Sequence, residues 1–128
     1  MKDKLKILLD NAYIPYFKFR VSAVVVMNDG KMFEGVNVQL ATISGSICAE
    51  RSAIVSAVSA GYTKGDFKEI HIMGDSEQIT PCCFICRQAI VEFFSADSPI
   101  ICYNNRGESK QFSVEELCPY PFDSDNFK

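Results

Sequence analysis

Two short cysteine clusters carry the residue types in this 128-residue sequence that are suited to metal chemistry. One is the run CAER at 48–51, and the other is the run PCCFICRQ at 81–88. Cys83 and Cys86 lie three residues apart, so on one helical turn both thiols project from nearly the same face and can bind one ion. Cys48 can supply a third thiolate from a different helix. Three protein ligands leave a tetrahedral zinc ion one position for water, which is typical of a catalytic site.

An acidic residue stands beside the first of these cysteines. Glu50 follows Cys48 by two residues, so its carboxyl group can reach a water molecule at the site without being a ligand, and it is the candidate proton shuttle. Three thiolates around one zinc ion give a negative centre. Arg51, together with the positive ends of the helices that begin near Cys48 and Cys83, can offset that charge and support the site.

The second cluster contains one more cysteine than a site of three thiolates needs. Counting back three residues from Cys86 selects Cys83 as the ligand, whereas counting forward from Pro81 selects Cys82. The helical spacing favours Cys83. A C-x-x-C pair alone also occurs in dithiol redox proteins and in structural zinc sites, and either of these alternatives would make Glu50 dispensable.

Composition indicates one globular domain, residues 1–128, without a nucleic-acid or membrane partner. The chain is 48% hydrophobic, and 13 basic against 16 acidic side chains leave a net charge of -3. A domain holds about 150 residues, so one domain is expected. The acidic surplus disfavours nucleic acid as a partner, and the longest apolar run falls far below the ~18 residues of a membrane span. No secretory signal is visible at the start, so we expect a cytoplasmic protein with reduced thiols.

Helices and strands alternate along the chain, and both cysteine clusters fall at helix starts. Apolar periodicity and turn residues predict helices over 2–13, 48–60 and 83–94, and strands over 19–27, 31–38, 68–73 and 99–103. Helices between strands predict an α/β fold, a single three-layer domain in which helices flank a mixed central β-sheet. Ligands of such folds tend to bind where helices begin beside strand ends.

Several segments of the chain resemble the small zinc-dependent cytidine deaminases. The matching segments are CAER at 48–51, the run from Cys83 to Gln88, AYIPYFKFRVSA at 12–23, GVNV at 35–38 and LCPYPF at 117–122. The resemblance therefore covers nearly the whole chain. It implies a cytidine deaminase-like fold and the hydrolysis of cytidine and deoxycytidine to uridine and deoxyuridine, with release of ammonia, in pyrimidine salvage.

The resemblance also implies the roles of the residues that do the chemistry. Cys48, Cys83 and Cys86 would hold Zn²⁺. Glu50 would take a proton from water, deliver it to the ring nitrogen N3 and later protonate the departing amine, while oxygen adds to C4.

A second set of residues would hold the nucleoside. The resemblance implies that Phe19 stacks on the pyrimidine, that Asn37 and Gln39 bind the sugar, and that Ala49 also contacts the substrate. Small members of the family form homotetramers with active sites at subunit contacts, so Phe122 is expected to reach a neighbouring site.

The sequence departs from the family at Gln39 and Leu40, where members usually have a glutamate and an asparagine. A carboxylate accepts hydrogen bonds more strongly than an amide, so we expect weaker binding of the sugar. The departure keeps open a second enzyme, an aminohydrolase for a cytosine-containing antibiotic such as blasticidin S. A nucleic-acid-editing deaminase is a third possibility, against which the acidic charge and short length argue.

Overall fold

A five-stranded sheet forms the centre of the computed structural model, which describes residues 1–127. Its strands are β1 (Val21–Met27), β2 (Met32–Val36), β3 (Phe67–Gly74), β4 (Pro99–Tyr103) and β5 (Ser109–Ser113), in the spatial order β2-β1-β3-β4-β5. β3 and β4 run parallel, and the other neighbours are antiparallel. The sheet is therefore mixed, as the sequence predicts.

Helices cover both faces of this sheet and complete the three predicted layers. They are α1 (Lys2–Leu8), α2 (Ala49–Ser59), α3 (Phe84–Phe93) and the short α4 (Val114–Leu117). The larger core joins α2, α3 and α4 to one face of the sheet, and the smaller joins α1 to the other face through Leu5, Val24 and Met73. Within residues 1–127, no helix is both long enough and apolar enough to cross a bilayer.

The first helix is shorter than the predicted span of 2–13. The α-helix ends at Leu8, and a 3₁₀ turn follows over Leu9–Asn11. Beyond it the backbone of Tyr13 pairs with the stretch after β2, since the Tyr13 amide donates to the Asn37 carbonyl at 3.0 Å. This long-range pairing competes with continued helix, and local periodicity carries no information about it.

Two elements near the C-terminus have no counterpart among the predicted ones. β5 is an edge strand of largely exposed, polar side chains, so it lacks the apolar alternation that identifies a strand. α4 begins with a capping box in which the Ser113 hydroxyl accepts from the Glu116 amide at 3.1 Å and the Glu116 carboxylate accepts from the Ser113 amide at 2.9 Å. The Ser-x-x-Glu pattern at 113–116 was the signal that could have identified it.

A close approach between β2 and α2 depends on Gly35. A Cβ atom at this position would lie 2.4 Å from the backbone nitrogen of Ala53 and 2.5 Å from the backbone oxygen of Ala49. Because a side chain there would push the helix away, the glycine sets the distance between the sheet and the start of α2, where the first cysteine cluster lies.

Candidate active site

Two cysteines occupy equivalent positions at the starts of neighbouring helices. Cys48 is the N-cap residue of α2 and Cys83 is the N-cap residue of α3, both with extended backbone and neither with a side-chain cap hydrogen bond. Cys86 lies in the first turn of α3. The first amides of a helix lack partners within it and carry partial positive charge, so both helices favour negative charge at these sulfurs.

The sulfurs of Cys48, Cys83 and Cys86 lie within 4.8 Å of one another, although Cys48 is 35 residues from Cys83. The Cys48 and Cys83 sulfurs are 3.7 Å apart. A tetrahedral zinc ion with Zn–S bonds of about 2.3 Å separates its sulfur ligands by about 3.8 Å. The donor type and the spacing therefore fit zinc with three protein ligands.

Cys82, the alternative ligand from the sequence, lies outside this group of sulfurs. Its side chain is buried in the larger core, and its backbone carbonyl accepts from the Arg87 guanidinium at 2.7 Å. Burial raises the pKa of the Cys82 thiol to about 12. The structure thus places Cys83, and not Cys82, beside the other two sulfurs.

Hydrogen bonds among the sulfurs and from Arg51 favour a thiolate at Cys48. Contacts with the Cys86 thiol, with Arg51 and with Cys83 lower the pKa of Cys48 to about 5, against the opposing effect of burial. The same contact with Cys48, together with burial, raises the pKa of Cys86. Arg51 also donates to the Ser46 carbonyl at 3.3 Å, which holds the guanidinium beside the sulfurs. Its guanidinium thus lies 3.7 Å from the Cys48 sulfur, and its role of offsetting thiolate charge stays a prediction.

Glu50 is a buried acid beside the cysteine sulfurs. Its side chain is in the first turn of α2, the residue is only 4% exposed, and it lines the same cavity as Cys48 and Cys83. Burial raises the pKa of Glu50 to about 7, and the nearby Cys48 charge acts in the same direction. A carboxyl group with such a pKa can both accept and donate a proton near neutral pH.

The cavity has a volume of about 310 Å³ and joins the cysteine cluster to three of the predicted substrate contacts, Phe19, Asn37 and Gln39. Ala49, the fourth predicted substrate contact, is the first residue of α2, is fully buried and does not line the cavity. Phe122 does not line the cavity of its own chain, and its carbonyl accepts from the Gln88 side chain at 2.5 Å.

The two amides predicted to bind sugar also bind the chain's own backbone. The Asn37 side-chain oxygen accepts from the Val21 amide at 2.8 Å, and its nitrogen donates to the Phe19 carbonyl at 2.9 Å. The Gln39 side-chain oxygen accepts from the amides of Tyr16 and Phe17 at 3.0 and 2.9 Å. These partners could not be read from the sequence, because they depend on how the segment before β1 crosses the end of β2.

Gly74, the last residue of β3, belongs to the site although the sequence analysis did not single it out. A Cβ atom there would lie 3.1 Å from Cζ of Phe19, so the aromatic ring rests against the bare backbone. The available signal was a glycine at the end of a predicted strand, where the backbone often has to be approached closely.

Known proteins resemble this chain in sequence and in structure. Residues 2–102 match the family described as the cytidine and deoxycytidylate deaminase zinc-binding region. The chain is 33% identical over 114 residues to a cytidine deaminase of Mycoplasma genitalium, covering 89% of this chain and 86% of that protein. It is also 33% identical over 117 residues to a cytidine deaminase of Halalkalibacterium halodurans, covering 91% and 87%. The crystal structure of cytidine deaminase from Burkholderia pseudomallei matches it with a TM-score of 0.89 and 36% identity, over 94% of each chain.

Proposed function

Since the chain belongs to the cytidine and deoxycytidylate deaminase family, we propose that it hydrolyses cytidine and deoxycytidine to uridine and deoxyuridine. Each turnover consumes one water molecule and releases one molecule of ammonia. The observation that carries the proposal is the group of three cysteine sulfurs within 4.8 Å of one another, beside a cavity that the buried carboxyl group of Glu50 also lines.

Zinc is the metal of this family, and Cys48, Cys83 and Cys86 are the residues that would hold it. When bound, zinc acts as a Lewis acid that lowers the pKa of a water molecule and makes it a nucleophile near neutral pH. Arg51 and the N-termini of α2 and α3 offset the negative charge of the thiolates, which would otherwise weaken this effect.

Glu50 moves the protons of the reaction. Its carboxylate takes a proton from the attacking water and delivers it to N3 of the pyrimidine as the water oxygen bonds to C4. It then takes the remaining proton from that oxygen and passes it to the amino group, which leaves as ammonia when the bond from C4 to nitrogen breaks and C4 becomes a carbonyl. Burial supports this role, because it raises the pKa of Glu50 to about 7, so that the protonated and ionised forms are close in free energy near neutral pH.

The opposite wall of the cavity holds the nucleoside. Phe19 lines the cavity and presents its ring to the pyrimidine. After its two bonds to the backbone, the Asn37 side chain keeps one acceptor position and one N–H donor for a sugar hydroxyl.

We propose further that the enzyme is a cytoplasmic homotetramer that serves pyrimidine salvage. Large apolar side chains are exposed on the helices around the site, among them Val55 on α2 and Phe84 and Ile85 at the start of α3, of which Phe84 is 72% exposed. A contiguous patch of such side chains marks a protein contact more often than a single one does, and Phe84 and Ile85 are adjacent. In such an assembly Phe122 would reach a neighbouring cavity. Light scattering should give four times the chain mass of 14.3 kDa, and a monomer would refute the assembly.

The function is tested by measuring ammonia release from cytidine, deoxycytidine and blasticidin S with the same purified protein. We expect turnover of the first two, together with about one zinc ion per chain by metal analysis. The relatives reported above are all named for cytidine, so no observation favours the antibiotic. Turnover of blasticidin S by a protein that leaves cytidine unchanged would reject the proposal.

A further inference from the structure

We infer that Gln39 positions the cavity wall that carries Phe19 and does not itself accept a hydrogen bond from the sugar. Phe19 and Val21 line the cavity and belong to the stretch of residues 16–21, which we call the Phe19 segment. The inference rests on the proposed deaminase function only for its kinetic readout, because its structural readout needs no substrate.

The hydrogen-bonding capacity of Gln39 is almost fully used inside the protein. The residue is 8% exposed. Its side-chain oxygen accepts from the Tyr16 and Phe17 amides, and its nitrogen donates to the Phe17 carbonyl at 3.0 Å. An amide oxygen has two acceptor positions, and both are occupied. One N–H donor remains, so a hydroxyl that needs an acceptor must find it elsewhere, for example on Asn37.

The upstream half of the Phe19 segment gains little from burial. The side chains of Tyr16 and Phe17 are half exposed, and neither residue belongs to a strand or helix. The hydrogen bonds from Gln39 therefore contribute much of the stabilisation of the backbone at Tyr16 and Phe17, because an irregular segment has no regular ladder of backbone hydrogen bonds. Because the Phe19 amide donates to the Phe17 carbonyl at 3.0 Å, displacement of Phe17 would be passed on to Phe19.

The downstream half of the segment has independent anchors. The Phe19 carbonyl accepts from Asn37, and the Arg20 guanidinium pairs with the Asp75 carboxylate at 2.8 Å. The Phe19 ring rests on Gly74. Loss of the Gln39 contacts would therefore displace the backbone before Phe19 without unfolding the segment. The effect should fall on substrate binding more than on the chemical step, which takes place beside the cysteine sulfurs and Glu50.

The amide suits this contact better than a carboxylate would. Gln39 has to donate to the Phe17 carbonyl while it accepts from two backbone amides. A carboxylate can accept from the amides but has no proton to donate, so one of its oxygens would face the carbonyl oxygen. If residue 39 instead bound the sugar, a carboxylate would serve better than an amide, because charged acceptors form stronger hydrogen bonds. The two roles therefore predict opposite outcomes for Gln39→Glu.

The structural test is amide hydrogen exchange in Gln39→Leu, with Gln111→Leu on the exposed edge strand β5 as the matched control. Loss of the Gln39 contacts should speed exchange at the Tyr16 and Phe17 amides by about tenfold, as expected for a hydrogen bond of ordinary strength. Zinc content and the circular dichroism spectrum should stay unchanged. Unchanged exchange at both amides in a folded variant would overturn the inference, whatever the activity of the protein.

The kinetic test compares cytidine with 2′,3′-dideoxycytidine, which lacks both sugar hydroxyls on the ring. If Gln39 acts through the Phe19 segment, Gln39→Leu should raise KM by the same factor, about 3- to 10-fold, for both nucleosides, with little change in kcat. Ki replaces KM where turnover is slow. A rise confined to cytidine, or a lower KM for cytidine in Gln39→Glu, would show that Gln39 binds the sugar. Failure of the wild type to deaminate either nucleoside would reject the proposed function and leave the exchange result standing.

Discussion

The two walls of the cavity are built in different ways. On the metal wall, Cys48, Cys83 and Cys86 project from the first residues of two helices that pack on the sheet. On the substrate wall, the Phe19 segment has no regular secondary structure before β1 and is held through its backbone by the side chains of Asn37 and Gln39. A helix positions side chains by regular spacing, whereas an irregular segment depends on particular hydrogen bonds.

The walls also differ in burial, which determines what a substitution should do. Behind the metal wall, Ala49, Ala53 and Cys86 are fully buried, so changes there disturb packing and charge in a closed environment. The substrate wall has half-exposed aromatic side chains that can move with less cost. We therefore expect substitutions on the metal wall to abolish chemistry or destabilise the fold, and substitutions on the substrate wall to change affinity or stability modestly.

The largest effect should come from the cysteine that the structure places among the sulfurs. Cys83→Ser should lose zinc on dialysis against a mild chelator, because a serine hydroxyl stays protonated near neutral pH and is a poor zinc ligand. Cys82→Ser is the matched control and should keep about one zinc ion per chain. Metal analysis of the two variants checks this, and the opposite pattern would assign the third ligand to Cys82.

The next largest effect is expected at Glu50. Glu50→Gln should lower kcat by about 10²- to 10⁴-fold, since the amide cannot carry a proton between water, N3 and the leaving amine. Zinc content and folding should match the wild type, and Glu92→Gln on α3 should be fully active. Activity that survives in folded, zinc-loaded Glu50→Gln would rule out the proton-transfer role and weaken the contrast between the walls.

A third prediction concerns the packing under the metal wall. Gly35→Ala should lower the free energy of unfolding by about 2–3 kcal/mol, because its Cβ would lie 2.4 Å from the backbone nitrogen of Ala53. Gly45→Ala, where the nearest atom is a Leu40 methyl group at 3.6 Å, should change it by less than about 0.5 kcal/mol. Denaturant unfolding measures both, and equal stability of the two variants would contradict the close approach.

The smallest effect is expected from an ion pair beside the substrate wall. A hydrogen bond from Arg20 lowers the pKa of Asp75 below its ordinary value of 3.8. The stabilisation is therefore complete above about that pH and is lost as pH falls through the lower pKa of the folded state. Asp75→Asn should reduce the unfolding free energy at pH 7 by about 0.2–1 kcal/mol, and less at acidic pH.

Asp10→Asn serves as the control for this ion pair. The Asp10 carboxylate also contacts Arg20, but its side chain is 80% exposed. Because water weakens an exposed ion pair, Asp10→Asn should lower the free energy of unfolding less than Asp75→Asn does. Urea unfolding of both variants at neutral and acidic pH provides the comparison. A difference between wild type and Asp75→Asn that grows as pH falls would contradict the direction of the pKa shift.

Much of the metal wall could be predicted from the sequence, because its geometry is local. Cys83 and Cys86 lie at the first turn of α3, and Glu50 follows Cys48 by two residues at the first turn of α2. The choice between Cys82 and Cys83 depended on the residue at which α3 begins, and boundaries are the weakest part of such predictions. The helical spacing favoured Cys83, which the structure places among the sulfurs.

The partners of Gln39 were outside the reach of the sequence. Residue type and a family resemblance suggested a sugar contact, but the side chain meets the backbone of Tyr16 and Phe17, more than 20 residues earlier. The same holds for the early end of α1, where pairing of Tyr13 with the stretch after β2 replaces further helix. In each case a long-range backbone contact prevails over a local preference.

Residue types and their spacing along the chain were enough to predict three thiols as the candidate metal ligands, an acid beside them, and a mixed sheet between helices that carries them. Helical spacing and alternating hydrophobicity are properties of short stretches, so they can be read without coordinates. The distance of 3.7 Å between the sulfurs of Cys48 and Cys83, and the hydrogen bonds between Gln39 and the Phe19 segment, are seen only in the folded chain. Both depend on how distant stretches of chain pack, which spacing along the sequence does not encode.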